Sequence, residues 1–237
     1  NKSSIDNNYY ATLPISSDSF LTARGELFNT KGLITDLKLN PNGYQYGIAI
    51  DKDKNIWIQD DKKLTRYFKK TNYKTFDFIK FNFQINTIFC DSKNKIWIGF
   101  KSNQGINSPI KTIDANNQKI TPLPFNKITE SVNYFAETKE HKIIMASPNK
   151  IIEYEPNSNK IKKTPTGKND IRSIYICKDN HIWVCTYSNG FSLFKNGILY
   201  KMPNDNNLFL VAAHGIIEDE NGHFWISTNK GLIEVHK

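Results

Sequence analysis

The amino-acid sequence predicts an all-β fold, a β-propeller of about six four-stranded blades, with residues 1–237 forming a single propeller domain. Two observations lead to this prediction. An apolar run, a turn rich in Asp and Asn, and a Trp recur in that order, as in DKDKNIWIQD at 51–60 and DENGHFWIST at 219–228. In addition, apolar residues nowhere keep the spacing of an amphipathic helix over the length of a helix, so we expect almost no helical structure.

The repeat is located by its Trp residues. The interval from Trp97 to Trp183 is about twice the others and contains a degenerate copy with Ile144 in the Trp position, and an earlier copy places Phe20 there. The six marker residues are Phe20, Trp57, Trp97, Ile144, Trp183 and Trp225. Successive markers lie 37 to 47 residues apart, which is close to the roughly 40–50 residues of one four-stranded propeller blade.

Each unit is predicted to form four strands, A to D. Strand A is the apolar run before the turn, strand B carries the marker, strand C follows a second turn that often contains Gly, and strand D is polar. The predicted blades are 9–39, 45–82, 85–124, 132–165, 170–203 and 213–237. The last unit contains strands A to C, and residues 1–6 are the candidate strand that closes it.

The marker and the turn Asp are interpreted as structural residues. One twisted sheet cannot bury both of its faces, whereas sheets packed side by side bury each other. A Trp on strand B supplies a large apolar wedge between neighbouring blades, and the turn Asp hydrogen-bonds its own backbone. We therefore do not expect the Trp and Asp residues to form a catalytic pair.

Composition narrows the classes of partner. There are 32 Lys and Arg residues against 23 Asp and Glu, a net charge of +9, but the basic residues are spread over the turns without a block of like charge. This distribution predicts no nucleic-acid binding and favours a small-molecule or oligosaccharide ligand, with anionic ligands favoured by the charge. No apolar stretch reaches the roughly 18 residues of a membrane span, so no membrane insertion by this chain is expected. The three cysteines, Cys90, Cys177 and Cys185, have no CxxC or Cys/His metal spacing and are predicted to be buried free thiols.

The motif D-x-x-G/N-x-[IF]-W-[IV]-x-[TF], followed by GL or GF, resembles the two-component regulator propeller repeat. Its best copies are 214–235 and 171–194. This resemblance implies the extracytoplasmic sensor region of a hybrid two-component system of gut Bacteroidetes, and hence a periplasmic or extracellular location, a glycan-like ligand and a role in signal transduction through a kinase-bearing region outside this chain. Sensors of that family carry two propellers, whereas the units found here suffice for one.

Catalytic and metal sites are not predicted. Glycosidases need two carboxylates about 5–10 Å apart on one cleft, but six of the acidic residues here lie in A–B turns that should be spread around one rim. These residues are Asp51, Asp53, Asp91, Glu140, Asp179 and Asp219. His141, His181 and His223 occupy the equivalent turn of three consecutive units, where they would be too far apart to share a metal. No GxSxG, P-loop or EF-type loop is present, so we expect neither enzyme activity nor a cofactor.

A ligand site is predicted on the face formed by the B–C and D–A loops, because propellers bind ligands around the mouth of the channel. The candidates from the B–C loops are Asp60, Lys101, Asn103, Tyr187 and Asn189, and those from the D–A side are Tyr44, Tyr46, Arg172 and His214. Of these, Tyr187, Arg172 and Lys101 are the leading candidates, and 101–108 is the candidate lid. The main hypothesis is a non-catalytic sensor or binding propeller for a carbohydrate-like ligand. The alternatives are a protein-interaction scaffold and a propeller lyase or hydrolase.

Overall fold

The computed structural model describes residues 13–16, 18–22, 25–37, 47–101, 109–122, 128–167, 170–187, 190–201 and 212–236. These residues form 23 β-strands and a single turn of 3₁₀ helix, Lys69–Thr71. The strands make six antiparallel sheets, and the predicted fold class, an all-β propeller of six blades, is confirmed. No helix in this part of the chain has the length and apolar character needed to cross a membrane.

The chain divides into two compact units, Asn1–Gln84 and Ile85–Lys237. The first unit contains two four-stranded sheets. The first sheet consists of β1 (Leu13–Ser16), β2 (Ser19–Leu21), β3 (Glu26–Asn29) and β4 (Gly32–Asp36), and the second of β5 (Ile48–Ile50), β6 (Ile56–Asp60), β7 (Lys63–Tyr67) and β8 (Phe76–Lys80). In both sheets the spatial order follows the chain, which is the strand order predicted for a blade.

The second unit contains four sheets with the same strand order. The third blade is β9 (Ile85–Cys90), β10 (Lys95–Phe100), β11 (Ile110–Asp114) and β12 (Ile120–Pro122), and the fourth is β13 (Tyr134–Glu137), β14 (Ile143–Ser147), β15 (Lys150–Glu155) and β16 (Lys160–Pro165). The fifth blade is β17 (Ile171–Ile176), β18 (Ile182–Thr186), β19 (Gly190–Lys195) and β20 (Ile198–Lys201), and the sixth is β21 (Ala213–Glu218), β22 (Phe224–Thr228) and β23 (Gly231–Val235). Among the described residues the sixth blade is three-stranded, and the candidate closing strand, 1–6, lies outside them.

The blades of the second unit pack on one another through their B strands. In β14, Met145 faces the cluster shared with the third blade, and Ile144 faces the cluster shared with the fifth. Successive residues of a strand point to opposite faces, so a strand buried on both faces is apolar throughout.

The first strands of successive blades also contact each other, β9 with β13, β13 with β17 and β17 with β21. Strand A is therefore the strand at which neighbouring blades come closest.

The predicted wedge role of the marker is seen at two positions of the second unit. Trp97 packs on Phe135 and Tyr154 of the fourth blade, with ring centroids 6.2 and 5.8 Å apart. Trp183 stacks on Phe191 of its own blade at 4.5 Å and meets Phe224 of the sixth blade edge-on at 5.1 Å. In each case the marker fills the space against the following blade.

The first blade departs from the predicted marker. Phe20 is 43% exposed and stacks on Phe28, whereas Leu21 is fully buried in the cluster that joins the first and second sheets. The pairing of β1 with β2 shifts register between Pro14 and Ser16. Adjacent residues of a strand point to opposite faces, so Leu21, and not Phe20, faces the second sheet and takes the marker position.

The A–B turns of blades two to six share one geometry. The first residue accepts a hydrogen bond at its carbonyl from the fourth residue and donates its amide to the carbonyl of the fifth, as in Asp51, Lys54 and Asn55. The fourth residue has positive φ in every case, with values of 62° at Lys54, 65° at Asn94, 61° at His141, 64° at Asn180 and 85° at Gly222. This pattern is a type I turn with a left-handed bulge residue.

In three of these turns the Asp side chain joins the turn to the marker. Trp57, Trp97 and Trp225 donate from Nε1 to Oδ2 of Asp51, Asp91 and Asp219 at 2.9, 2.8 and 3.1 Å. The other oxygen of each Asp accepts the backbone N–H of the fifth turn residue. The predicted structural role of the turn Asp and the Trp is thus confirmed, with a direct bond between them that the sequence analysis did not predict.

The cysteines are free, as predicted. Cys177 and Cys185 are buried, but Cys90 is only half-buried, contrary to the expectation for all three. Burial raises the pKa of the Cys185 thiol to about 11. This thiol therefore remains protonated and acts as an apolar core group.

Candidate ligand-binding site

The structure brings together two of the leading site residues, Arg172 and Tyr187. Arg172 is the second residue of β17, and Tyr187 follows the last residue of β18, at the same end of the fifth blade. The guanidinium carbon Cζ of Arg172 lies 5.0 Å from the centre of the Tyr187 ring. A cation over an aromatic face is an attractive arrangement, so each side chain restricts the motion of the other.

Asp170 holds this pair in place from the start of the strand. Its carbonyl oxygen accepts the amide of Tyr187 at 3.1 Å, and its Oδ2 lies 2.8 Å from Nη2 of Arg172. The Tyr187 ring remains 56% exposed, and the Arg172 side chain is 43% exposed. The guanidinium keeps donors for a carboxylate or sulfate ligand, and the ring offers a face on which a sugar can stack.

A β-bulge places Arg172 at the blade end. Ile171 pairs with Thr186 and Ser173 pairs with Cys185, which leaves Arg172 as the extra residue. The sixth blade has the same irregularity between Ala213 and Gly215, with His214 as the extra residue. A bulge changes the direction of a side chain at the end of a strand. The two D–A candidates Arg172 and His214 therefore occupy equivalent bulge positions in neighbouring blades.

Asn86 is a third member of this set, and the sequence analysis missed it. The register of the third blade shifts between Gly99 and Phe100 at the level of Asn86. Asn86 donates from Nδ2 to the carbonyl of Val132 at 2.7 Å and to Oδ1 of Asn133 at 3.1 Å. The side-chain nitrogen Nδ2 of Asn133 in turn donates to the carbonyl of Ile171 at 3.3 Å.

The set could have been found from the sequence, because each member precedes its marker by the same offset. The residues at this offset in the second unit are Asn86, Asn133, Arg172 and His214. We call these four residues the inner row. Their hydrogen bonds run from the third to the fourth to the fifth blade, so the row is continuous along the A strands, and its amides offer donors and acceptors for sugar hydroxyls.

Of the other predicted site residues, the structure describes Lys101 and Asp60. Lys101 follows β10 and is half-buried, and no hydrogen bond or ion pair among the described residues joins it to Arg172 or Tyr187. Asp60 ends β6 in the first unit and pairs with Lys63 at 3.9 Å on the surface. The other predicted site residues lie outside the described residues, as do 102–108 of the candidate lid; they are Tyr44, Tyr46, Asn103 and Asn189.

One cluster in the second unit contains the residue types of a hydrolytic triad. Ser92 Oγ lies 2.6 Å from Glu137 Oε1 and 2.9 Å from His141 Nδ1, and that same nitrogen lies 2.9 Å from Glu137 Oε1. In a triad the serine and the carboxylate bind opposite ring nitrogens, whereas here both meet one nitrogen. Burial raises the pKa of Glu137, but hydrogen bonds from Ser92 and His141 outweigh it and lower the pKa. The cluster joins the third and fourth blades and does not activate Ser92.

This cluster lies at the opposite end of the blade from the inner row. Asn86 is near the start of β9 and Ser92 follows its end, a separation of about 20 Å at the usual rise per residue. The A–B turns of the second unit, with Asp91, Glu140, Asp179 and Asp219, therefore lie at the opposite end of their blades from the inner row. Within the described part of the second unit, the inner row and the adjacent Tyr187 combine an exposed aromatic ring, a cation and amide groups, which suits binding more than proton transfer.

Comparison with known proteins shows the fold. No protein-family model matches the sequence, and no curated protein matches it significantly. Among solved structures, the extracellular domain of the hybrid two-component system BT4673 from B. thetaiotaomicron is similar with a TM-score of 0.72 and 18% identity, over 99% of this chain and 34% of that chain. Virginiamycin B lyase from Staphylococcus aureus is similar with a TM-score of 0.76 and 18% identity, over 98% of this chain and 81% of that one.

A third similar structure is PorZ, a surface component of the type-IX secretion system of Porphyromonas gingivalis, with a TM-score of 0.70, 14% identity, and coverage of 92% of this chain and 37% of that one. The chain thus spans about a third of the length of the two-component structure and of PorZ. The neighbours include sensor domains and lyases on one architecture. At these identities the likeness establishes the β-propeller fold, the fold that the resemblance to the two-component regulator propeller repeat predicted.

Proposed function

We propose that this chain is a non-catalytic sensor propeller that binds a carbohydrate-like ligand outside the cytoplasm, as part of two-component signalling. The observation that carries the proposal is the exposed Tyr187 ring with the Arg172 guanidinium stacked on it, beside the amides of the inner row. Aromatic faces stack on sugar rings, and an arginine beside such a face recognises carboxylates or sulfates in two-pronged geometry. The expected ligand is a uronic-acid or sulfated oligosaccharide.

The similarity to extracellular domains of hybrid two-component systems supports the sensor role and the extracytoplasmic location. Under this proposal the ligand binds this propeller and a kinase-bearing region, outside this chain, transmits the signal. Asp170 contributes by holding Arg172 until an anionic ligand group replaces part of its ion pair. Because the pair is exposed, the exchange costs little free energy.

The test is a thermal-shift screen of the purified chain against a glycan panel that includes uronic-acid and sulfated oligosaccharides. A ligand at about 100 times its dissociation constant stabilises the fold by about 2.7 kcal/mol, which raises the melting temperature by a few degrees. The shift should be lost in Tyr187→Ala and in Arg172→Ala. Tyr200→Ala, which removes a 47% exposed tyrosine on β20 of the same blade, should keep it. A shift that survives in Tyr187→Ala would contradict the proposed site.

A lyase is the second candidate, because virginiamycin B lyase and a streptogramin B lyase share the fold over most of this chain. Its test is incubation with a streptogramin B antibiotic, followed by chromatography that separates ring-opened from cyclic compound. We expect the cyclic compound to persist. Appearance of a linear product with the purified chain, absent from the buffer control, would replace the sensor proposal.

A protein-interaction scaffold is the third candidate, and one surface favours it. Phe76 and Phe78 alternate on β8 of the second blade and are 57% and 52% exposed. Alternate residues of a strand lie on one face, so the two rings form an apolar strip. If the chain melts cooperatively and no glycan of the panel raises its melting temperature, the result would favour this function.

A further inference from the structure

The A–B turn of the fifth blade differs from its three sister turns with Trp markers. Cys177 stands in the position that Asp51, Asp91 and Asp219 occupy in the other turns. The backbone of the turn is unchanged, because Cys177 donates its amide to the carbonyl of His181 at 3.1 Å and its carbonyl accepts the amide of Asn180 at 2.8 Å. The replacement therefore changes the side chain at this position and leaves the backbone geometry of the turn as it is in the sister turns.

The replacement leaves a buried polar atom without a partner. Trp183 is 9% exposed, and its Nε1 has no hydrogen-bond partner among the described residues. In each sister turn this indole nitrogen donates to the side chain of the first turn residue. The fifth blade therefore has the indole donor of the sister turns without the carboxylate that accepts from it there.

Three metal-ligating groups converge at the same place. The sulfur of Cys177, a carboxylate oxygen of Asp179 and a ring nitrogen of His181 all lie within 4.8 Å of one another. They are the first, third and fifth residues of the turn. Cys177 is buried whereas Asp179 and His181 are exposed, so an ion would be held from the protein side by sulfur and would remain open to solvent on the other.

We propose that Cys177, Asp179 and His181 bind a divalent cation of zinc-like chemistry. A thiolate with an imidazole selects zinc or a similar transition metal over magnesium or calcium. Zinc bonds of about 2.3 Å to sulfur and about 2.0–2.1 Å to nitrogen or oxygen fit inside the cluster after small side-chain rotations. Binding converts the thiol to a thiolate and releases its proton, and the thiolate then accepts the N–H of Trp183. Three protein ligands leave a fourth position for water or an external group.

The sequence analysis predicted no metal site, because a Cys four residues before a His matches no familiar zinc pattern. A helix would also bring such residues together, but here the left-handed Asn180 closes a β-turn that brings the first, third and fifth side chains to one side. The third-blade turn lacks the ligands of this site. The third blade has Lys93 and Lys95 at the third and fifth positions, and a lysine cation does not bind metal.

The test is a Co²⁺ titration of the purified chain in reducing buffer, followed by absorption spectroscopy and displacement with Zn²⁺. The expected result is one ion per chain, with a thiolate-to-cobalt charge-transfer band and the intense visible bands of tetrahedral cobalt. The sister turns supply variants that keep the fold. Cys177→Asp should abolish the charge-transfer band, and His181→Lys and Asp179→Asn should weaken binding at least tenfold.

Two controls separate this site from other thiols and histidines. Cys90→Ala removes the half-buried thiol of the third blade and should leave the spectrum unchanged. His223→Lys removes one ligand of the other described cluster of this kind, His223, Glu234 and His236, and should also leave the thiolate band unchanged. Absence of the band in the unmodified chain, or its persistence in Cys177→Asp, would overturn the proposal. Melting curves without metal establish that each variant is folded.

Discussion

The indole nitrogen Nε1 of Trp97 donates a hydrogen bond of 2.8 Å to Oδ2 of Asp91, and both residues are buried. The other oxygen of Asp91 accepts the backbone amides of Lys93 and Lys95, each at 2.9 Å. One carboxylate thus closes the A–B turn and orients the ring that packs on the fourth blade. The pair couples a local turn to the packing between blades.

Replacing Asp91 with Ala should lower the free energy of unfolding by about 2–3 kcal/mol, because the variant leaves a buried indole N–H and two turn amides without their acceptor. Urea denaturation followed by tryptophan fluorescence measures the effect. Asp53→Ala is the matched control, since Asp53 is an exposed residue of the equivalent turn in the second blade. Equal losses in the two variants would show that the Asp91–Trp97 bond is not the cause.

Cys177→Asp should stabilise the metal-free chain by about 1 kcal/mol, in buffer that contains a chelator. The new carboxylate would accept the unpartnered N–H of Trp183, and a satisfied hydrogen bond contributes about this much. Trp183→Phe, which removes the N–H, serves as the comparison. If Cys177→Asp stabilises the chain as strongly when Trp183 is already Phe, the gain does not come from the indole.

Stability should depend on pH through Glu130. This side chain is 17% exposed and pairs with Lys150 at 2.5 Å and with Lys163 at 3.0 Å. Burial raises the pKa of Glu130, but the two lysines outweigh it and lower the pKa from 4.5 to about 2. A carboxyl with a lowered folded pKa stabilises the fold above its unfolded pKa, and this contribution is lost as the pH falls from about 4.5 toward 2.

Glu130→Gln should therefore be less stable than the unmodified chain at pH 7, by about 2 kcal/mol, the scale of hydrogen bonds to charged groups. The difference should shrink as the pH falls below about 4.5, and urea denaturation across this range measures it. Asp60→Asn is the control, because Asp60 pairs with Lys63 at 3.9 Å on the surface and such pairs contribute little. A difference that stays constant down to pH 2 would contradict the salt-bridge explanation.

The second-blade turn carries backbone strain at Lys54, which has φ 62°. A residue with a Cβ pays about 1–2 kcal/mol for this conformation, and Gly avoids that cost at an entropic cost of about 0.5–1 kcal/mol. Lys54→Gly should therefore raise the free energy of unfolding by about 0.5 kcal/mol, measured in urea. Asp53→Gly, one residue earlier, should lower it, since that position has no left-handed backbone for Gly to relieve. The same sign in both variants would rule out strain at Lys54.

The features that follow local rules were predictable from the sequence. The spacing of Trp57, Trp97, Trp183 and Trp225 predicted the blades, because the length of a blade and the chemistry of its turns depend on residues close in the chain. The D–A candidate Arg172 and the B–C candidate Tyr187 were identified for the same reason, since each belongs to a loop with a known place in the repeat. Their stacking at 5.0 Å required only that β17 and β18 pair as a hairpin.

The tertiary structure decided what depends on neighbouring blades and on register. It showed that Leu21 replaces Phe20 as the marker, because Leu21 is the residue of β2 that packs against the second sheet. It also joined Asn86 to Asn133 across two blades, and it exposed the missing acceptor at Trp183. The sequence by itself determined the repeat, the strand order and the loops that carry polar residues. Which side chains meet was decided only when the sheets packed, because contacts between residues distant in the chain depend on packing and not on the repeat.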